Sequence, residues 1–283
     1  MTGNDFKKDF ISQLYLSVLN READESGFSS NMLSIQDPLD AKRLAEVAGD
    51  FARSEEYRKY VINDFLVGLA STLHDSSYSY FSIGDHCATA SILKKFNQRN
   101  CSTPFDWIFS SLDMVSHCIE DDFSTFLDRS HYRSVGADQR SEKDANLCDH
   151  QFYLENFGVK FVFNHHDPLT EKDYAYFVRC IERFRLALNN PDARLIYLGR
   201  NPSVEEISRL DNALQGKACR AIVFNLHRNI AASLPHFEVA KKFAGVTVVD
   251  FFARSDVGAI GFTDPFDDFM FSHVVSKLSS CLA

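Results

Sequence analysis

Apolar residues recur along the first quarter of the chain at the spacing of amphipathic helices. Between residues 4 and 66 they fall three or four positions apart in successive segments, which is the period of one helix face. Pro38 lies near the start of the third segment, and Ser54, followed by two glutamates, is a capping-type start for the fourth. The pattern predicts a small all-α domain over residues 1–70, joined to the rest by a Ser-rich connector at residues 67–79.

From residue 80 onward, short apolar runs alternate with helical segments. The predicted strands lie at residues 80–83, 161–163, 194–198, 220–225 and 247–251. The predicted helices lie at residues 88–96, 171–188, 203–214 and 267–282, with mixed helical structure at 105–135, a surface loop at 136–150 and a helical or irregular stretch at 237–243. Strands separated by helices predict a Rossmann-like α/β domain over residues 71–283, in which helices cover both faces of a parallel sheet.

Composition narrows the classes of function. The formal net charge of −9 disfavours a nucleic acid as the main partner. The N-terminus lacks the apolar core of a signal peptide, and no apolar run is long enough to span a membrane, so we expect a cytoplasmic protein. The seven cysteines form no C-x-x-C pair, which argues against a zinc ribbon or a disulfide framework. A phosphate-binding P-loop is also absent, and we expect no cofactor.

Polar clusters follow four of the predicted strands, at residues 84–87, 164–167, 199–201 and 225–228. Because sites in parallel α/β folds lie at the carboxyl ends of the strands, we expect these clusters to converge on one edge. Cys87 stands where the first strand passes into a helix. A helix N-terminus stabilises a thiolate, so we expect a lowered pKa for this thiol. Alternatively, Cys87 is only a small buried residue at a tight junction between the strand and the helix.

Further candidates surround this cysteine. His165, His166 or His273 could serve as the base, although the first two could instead cap a helix. Zinc binding is disfavoured, because adjacent side chains rarely point at one ion. Candidate substrate-binding residues are Asp106, Trp107, Arg179, Arg183, Arg200 and His227. Asp106 and Trp107 could instead form a structural turn. Arg179 and Arg183, four positions apart on one helix face, suit a phosphate or carboxylate or else a solvated salt-bridge face.

The blocks SIGDHC, STPFDWIFS, FNHHD and YFVRCIERFRLAL, followed by RLIYLGR, resemble a bacterial family of papain-like cysteine peptidases. The resemblance covers roughly residues 80–275. It implies that Cys87 is the nucleophile, with a later histidine as base and an Asp or Asn that orients it. His165 or His166 matches the family's histidine block, and His273 is the other candidate. Papain folds place their histidine on an antiparallel sheet, however, whereas this domain is predicted to be α/β.

A second resemblance concerns topology. Residues 84–86 lie where SGNH hydrolases carry Gly-Asp-Ser, and Asp267 or Asp268 with His273 lies near the C-terminus, where they carry a catalytic Asp-x-x-His. This resemblance implies roles for Asp85, Asp268 and His273. The spacing differs, and the nucleophile would be Cys87, one position late.

The N-terminal pattern FISQLYLSVLNREADESGF … FARSEEYR resembles a small domain of unknown function related to phycobilisome linker modules. About 55 residues match. Asn20 and Ala23 replace the Gly and Pro of the family's loop. The resemblance implies docking onto a protein partner, and simple packing of a helical bundle is the alternative.

Three functions follow for the chain as a whole. The first is a cysteine-dependent hydrolase or acyl transferase, with backbone N–H groups after Cys87 as the oxyanion hole. The second is a glycosyltransferase or related enzyme of surface-polysaccharide biosynthesis, with strand-end arginines holding a nucleotide-sugar diphosphate. The third is a non-enzymatic adaptor. We expect a small-molecule, glycan or peptide substrate, and the sequence does not identify it.

Overall fold

The computed structural model describes residues 3–19, 21–35, 41–73, 77–139, 148–231 and 234–281. Asn20, Pro38, residues 74–76 of the predicted connector, residues 140–147 of the predicted loop and Leu282 lie outside these ranges. The chain divides into two compact units, Met1–Gly68 and Leu69–Ala283. None of the helices in the described ranges is both long and apolar enough to cross a membrane.

The first unit is all-helical, as the apolar spacing predicts. Its helices are α1 (Gly3–Leu19), α2 (Glu25–Ser34), α3 (Ala41–Arg53) and α4 (Glu55–Leu73). The core of the unit forms around Ile11, Tyr15, Val47 and Phe51, whose spacing placed them on inward helix faces. The connector prediction is wrong for its first half, because α4 continues to Leu73: residues 67–73 contain no proline to end it.

The second unit is built on a five-stranded sheet in the order β1-β4-β5-β7-β6. The strands of this unit are β1 (Ser79–Ser82), β2 (Tyr132–Ser134), β3 (Cys148–His150), β4 (Ala193–Gly199), β5 (Arg220–Arg228), β6 (His236–Lys242), β7 (Val246–Ala253), β8 (Val257–Gly258) and β9 (Gly261–Phe262). Neighbours among β1, β4, β5 and β7 pair in parallel, and β6 pairs antiparallel to β7. The predicted α/β class is confirmed.

Helices cover both faces of this sheet. They are α5 (Ala88–Lys95), α6 (Leu112–Glu120), α7 (Gln151–Phe157), α8 (Glu171–Leu188), α9 (Val204–Ala213) and α10 (Pro265–Cys281). Alternate strand residues point to opposite faces. Leu195 and Val223 therefore join the core formed with α6, α8 and α9, while Phe224 contacts Phe271 of α10 on the other face. Phe96, which follows α5, packs on Phe269 of α10.

Three predicted segments need correction. Residues 237–243 are mostly the edge strand β6, whose largely exposed, charged side chains hide the apolar alternation of a strand. Residues 161–163 are not a sheet strand: Phe163 forms one antiparallel bridge with Cys148, and its ring lies in a cluster of aromatic side chains. The predicted loop at 136–150 ends in β3, which pairs with β2.

Candidate functional site

The turn between β1 and α5 lies at the carboxyl edge of the sheet, as the sequence predicts. Gly84 has a φ of +124°, and a side chain at this position would collide with the Ser110 hydroxyl. The backbone N–H of Ser110 donates to the carbonyl of Asp85 at 2.9 Å, and Thr89 Oγ1 donates to the carbonyl of Gly84 at 3.0 Å. These contacts hold the turn between the segment before α6 and the first turn of α5.

A cavity of about 540 Å³ opens beside this turn. Its volume lies in the range of pockets that hold small-molecule ligands. Its polar wall consists of Asp85, His86, Ser110, Ser111, Lys160 and Arg200. Its apolar wall includes Phe109, Phe157, Val159 and Val257. Of the residues predicted to act at the site, the structure therefore places Asp85 and Arg200 in the wall of this cavity.

Asp85 and His86 form a carboxylate–imidazole pair in the cavity wall. His86 Nδ1 contacts Asp85 Oδ1, and His86 Nε2 lies 3.2 Å from the carbonyl of Gly258. Burial acts to lower the pKa of His86, but the hydrogen bond and the charge of Asp85 outweigh it, so the pKa is raised. Both ring nitrogens face acceptors, which suits the protonated ring. The pair therefore favours an imidazolium in the cavity wall, and a bound group would reach its Nε2 proton only in place of the Gly258 carbonyl.

Cys87 directly precedes α5, but its thiol is not the low-pKa group that its position predicts. The side chain is 4% exposed and does not line the cavity. Burial, with the charge of Asp106 adding to it, raises the pKa of Cys87 to about 11. Removal of water therefore outweighs the helix terminus here. Within the described residues, no histidine forms a hydrogen bond with the Cys87 sulfur.

Asp106 holds the loop after α5 together. Its carboxylate accepts from Arg99 Nη2 at 2.5 Å and from the backbone N–H and hydroxyl of Thr103 at 2.7 Å each. Burial raises the pKa of Asp106, although the charge of Arg99 and the hydrogen bonds from Arg99 and Thr103 act to lower it. The residue is fully buried, and Trp107 packs beneath the Arg99 guanidinium rather than in the cavity wall. The structure therefore favours the turn interpretation over substrate binding for both residues.

His165 and His166 lie in the loop before α8, not at the end of a sheet strand. His165 is exposed beside Asn164, while His166 stacks on Tyr176 at 4.4 Å and lies 3.7 Å from Asp173. Burial lowers the pKa of His166. The expected convergence of four polar clusters thus fails for this cluster, because residues 161–163 turn into the aromatic core instead of joining the sheet.

Asp268 and His273 lie on α10 and form no dyad with the turn. Asp268 accepts from Lys95 Nζ at 2.8 Å and from the backbone N–H of Phe262 at 2.8 Å, so its carboxylate is already engaged. His273 stacks against Phe269, and burial lowers its pKa. The topological resemblance to SGNH hydrolases therefore does not extend to a shared acid–base pair at these positions.

The remaining predicted residues divide between α8 and the sheet edge. Arg179 and Arg183 are exposed on α8, where Arg183 approaches the carbonyl of Ser102 at 3.4 Å. His227 lies at the end of β5, with Nε2 2.8 Å from Asp250 Oδ1 on β7. Asn225 donates to the same carboxylate oxygen at 2.8 Å. This cluster lies at the predicted edge but not in the cavity wall.

The sequence analysis did not single out four polar residues of the cavity wall: His86, Ser110, Ser111 and Lys160. His86 stands inside the quoted SIGDHC block, and its neighbour Asp85 was the signal that could have identified it. Ser110 closes the STPFDWIFS block. Lys160 follows Gly158, which ends α7 in the left-handed conformation with a φ of +67°. In the part of the chain that the structure describes, no group of His, Cys, Asp and Glu is placed to hold a metal ion.

No curated protein and no solved structure matches the chain. A family model matches residues 78–225. The matched range contains β1, Cys87 and every residue of the cavity wall except Val257, and it ends before His227 and His273. Because this range is more than half of the chain, the chain belongs to the family described as "Putative papain-like cysteine peptidase (DUF1796)".

Proposed function

We propose that the α/β unit is a cysteine-dependent hydrolase that acts at the cavity beside the β1–α5 turn, with Cys87 as nucleophile and the Asp85–His86 pair as its acid–base group. The observation that carries the proposal is the position of this pair: it lies in the cavity wall and directly precedes Cys87 in the chain. Membership of the family supports a cysteine-dependent hydrolase at this coarse level.

The other cysteines of the matched range are less suited to the role. Cys118, Cys148, Cys180 and Cys219 are fully buried, and Cys118 bonds to the Tyr153 hydroxyl at 3.1 Å. Cys101 is half-buried, and it follows the C-terminal end of α5 instead of preceding the N-terminus of that helix. Cys87 is the cysteine that follows a cavity-wall residue, and it precedes the N–H groups of α5 that suit an oxyanion.

The chemistry would proceed in two steps. The Cys87 thiolate attacks an acyl carbon and forms a thioester, and the leaving group departs with a proton from the His86 imidazolium. Water then gives a proton to the neutral His86 and hydrolyses the thioester, which restores the thiolate and the imidazolium and gives a carboxylic acid. Because the buried thiol has a raised pKa, the thiolate is scarce at neutral pH until a substrate or a change in pH favours it.

The test uses the full chain and a panel of 4-nitrophenyl esters and aminoacyl anilides. Changing Cys87 to Ala should reduce kcat/KM on any turned-over substrate by about 10³-fold or more. The matched control is Cys101→Ala, which should retain activity and the melting temperature. Iodoacetamide labelling of Cys87 should accelerate about tenfold per pH unit between pH 7 and 10. Full activity of the Cys87→Ala protein would refute the assignment of the nucleophile.

A second candidate is a transferase that uses a nucleotide sugar, and the observation that favours it is the presence of Lys160 and Arg200 in the cavity wall. Both cations suit a diphosphate at the carboxyl edge of a parallel sheet. A panel of nucleotide sugars in a thermal-shift assay tests it, and the absence of any shift would count against it. The docking role of the helical unit stays a prediction from its sequence.

A further inference from the structure

The wall of the cavity is more cationic than the chain that forms it. The whole chain carries a formal net charge of −9. The cavity wall, by contrast, contains Lys160, Arg200 and His86 against the single carboxylate of Asp85. Asp85 already contacts His86, so this carboxylate is engaged within the wall.

The two permanent cations of the wall are available to a ligand. Lys160 is exposed, and no described residue forms a hydrogen bond or an ion pair with it. Arg200 lies 3.9 Å from Asp256 Oδ1, but Arg228 holds the other oxygen of that carboxylate at 3.0 Å. Asp256 is therefore shared, and most of the donor capacity of the Arg200 guanidinium is unused.

The cavity wall also contains a buried hydroxyl group beside these two cations. Ser110 is 7% exposed, and its hydroxyl has only a long hydrogen bond of 3.4 Å to the carbonyl of Ile83. Ser110 lines the cavity together with Phe109 and Phe157 of the apolar wall. The wall thus combines hydrogen-bond donors for an anion with an aromatic surface. This combination fits a ligand that has one anionic end and an apolar body.

We propose that the cavity recognises the carboxylate or phosphoryl end of a small substrate, with Arg200 and Lys160 as the groups that bind this end and the aromatic wall holding the rest. The inference rests on the proposed function only in taking this cavity as the substrate site. Arg200 supplies a planar pair of donors to two oxygens, and Lys160 supplies a point charge.

The experiment measures binding to the full chain by titration calorimetry, using the Cys87→Ser protein so that no turnover occurs. The probes are phenyl phosphate, phenylacetate and the neutral phenylacetamide. We expect one or both anions to bind at least about tenfold more tightly than the amide, and more weakly as salt is raised. The preference between phosphate and carboxylate identifies the end group.

Two variants test the assignment of residues. Arg200→Ala and Lys160→Ala should each weaken the preferred anion about tenfold or more, with unchanged melting temperatures. Arg185→Ala is the matched control, because Arg185 pairs with Asp122 on the surface and not with the cavity. Equal affinity for the amide, or wild-type affinity in both variants, would overturn the inference. Loss of activity in Cys87→Ala with no anion preference would leave the hydrolase proposal standing alone.

Discussion

Asp85 and Asp106 lie in the same short segment of the chain, yet their surroundings differ in almost every respect. Asp106 is fully buried and accepts four hydrogen bonds, two from Arg99 and two from Thr103. The Asp85 side chain is 37% exposed and contacts a single titratable partner in a cavity wall. A carboxylate whose acceptors are filled by its own loop supports the fold, whereas one with spare acceptors and a histidine partner can take part in chemistry.

The largest effect that tests this comparison is the loss of Asp106. Changing it to Ala leaves the Arg99 guanidinium, whose side chain is 11% exposed, without a carboxylate, and such a loss costs about 3–5 kcal/mol. Asp85→Ala should cost less than about 1 kcal/mol, because its ion pair is partly exposed to water. Urea unfolding of both variants measures the difference. Equal losses in the free energy of unfolding would show that Asp85 supports the fold as much as Asp106 does.

A second test compares how His150 in the core and His86 in the cavity wall make stability depend on pH. Burial is the main cause that lowers the pKa of His150 to about 4, and within the described residues no hydrogen bond reaches its buried Nδ1. Because the unfolded chain takes up a proton near pH 6.5 and the folded chain does not, stability should fall as pH drops from 6.5 toward 4. A shift of this size corresponds to about 3 kcal/mol at most.

His86 should act in the opposite sense. Its folded pKa is raised, so its contribution to stability is fully present below pH 6.5 and is lost as pH rises through the folded value. Melting temperatures measured from pH 4 to 9 check both directions. The His86→Gln protein should lose the alkaline slope and keep the acid one. A melting temperature that is flat below pH 6.5 would contradict the assignment of His150 as the acid-sensitive group.

The elements that sequence alone predicted well are those whose signal is local. The helix α9 begins with Ser203 and Glu206, which form both bonds of a capping box, and α8 has the predicted bounds because its apolar positions keep one helical period. The strands β4, β5 and β7 were predicted because they are buried apolar runs of the length of strands. Such patterns reflect contacts that each element makes along its whole length.

The parts that failed depend on tertiary contacts that a local pattern does not carry. The apolar residues 161–163 look like a strand, but Phe163 packs against Phe126 and Phe177 instead of entering the sheet. The thiol of Cys87 has the helix N-terminus that the sequence implies, and only the surrounding structure shows that burial outweighs it. Lys160 joins the cavity wall from the loop after α7, about 75 residues along the chain from Asp85.

The smallest effect concerns the loop that carries Arg200. Asn225 Oδ1 accepts from the backbone N–H of Asn201 at 2.9 Å, and Asn225 Nδ2 donates to Asp250 at 2.8 Å. Asn201 has a positive φ of 50°, so the loop after β4 depends on such support. Asn225→Ala should therefore cost about 1 kcal/mol of stability and weaken binding of the anionic probe severalfold, although Asn225 is only a positioning residue.

The control for this effect is Asn212→Ala, because Asn212 is exposed on α9 and bonds only to the nearby Gln215 side chain and turn. Calorimetry on both variants, beside Arg200→Ala, gives the readout. If Asn225 acts through Arg200, the double variant Asn225→Ala/Arg200→Ala should bind no more weakly than Arg200→Ala alone, since the two changes remove the same contribution. Additive losses in the double variant would mean that Asn225 affects the ligand independently of Arg200.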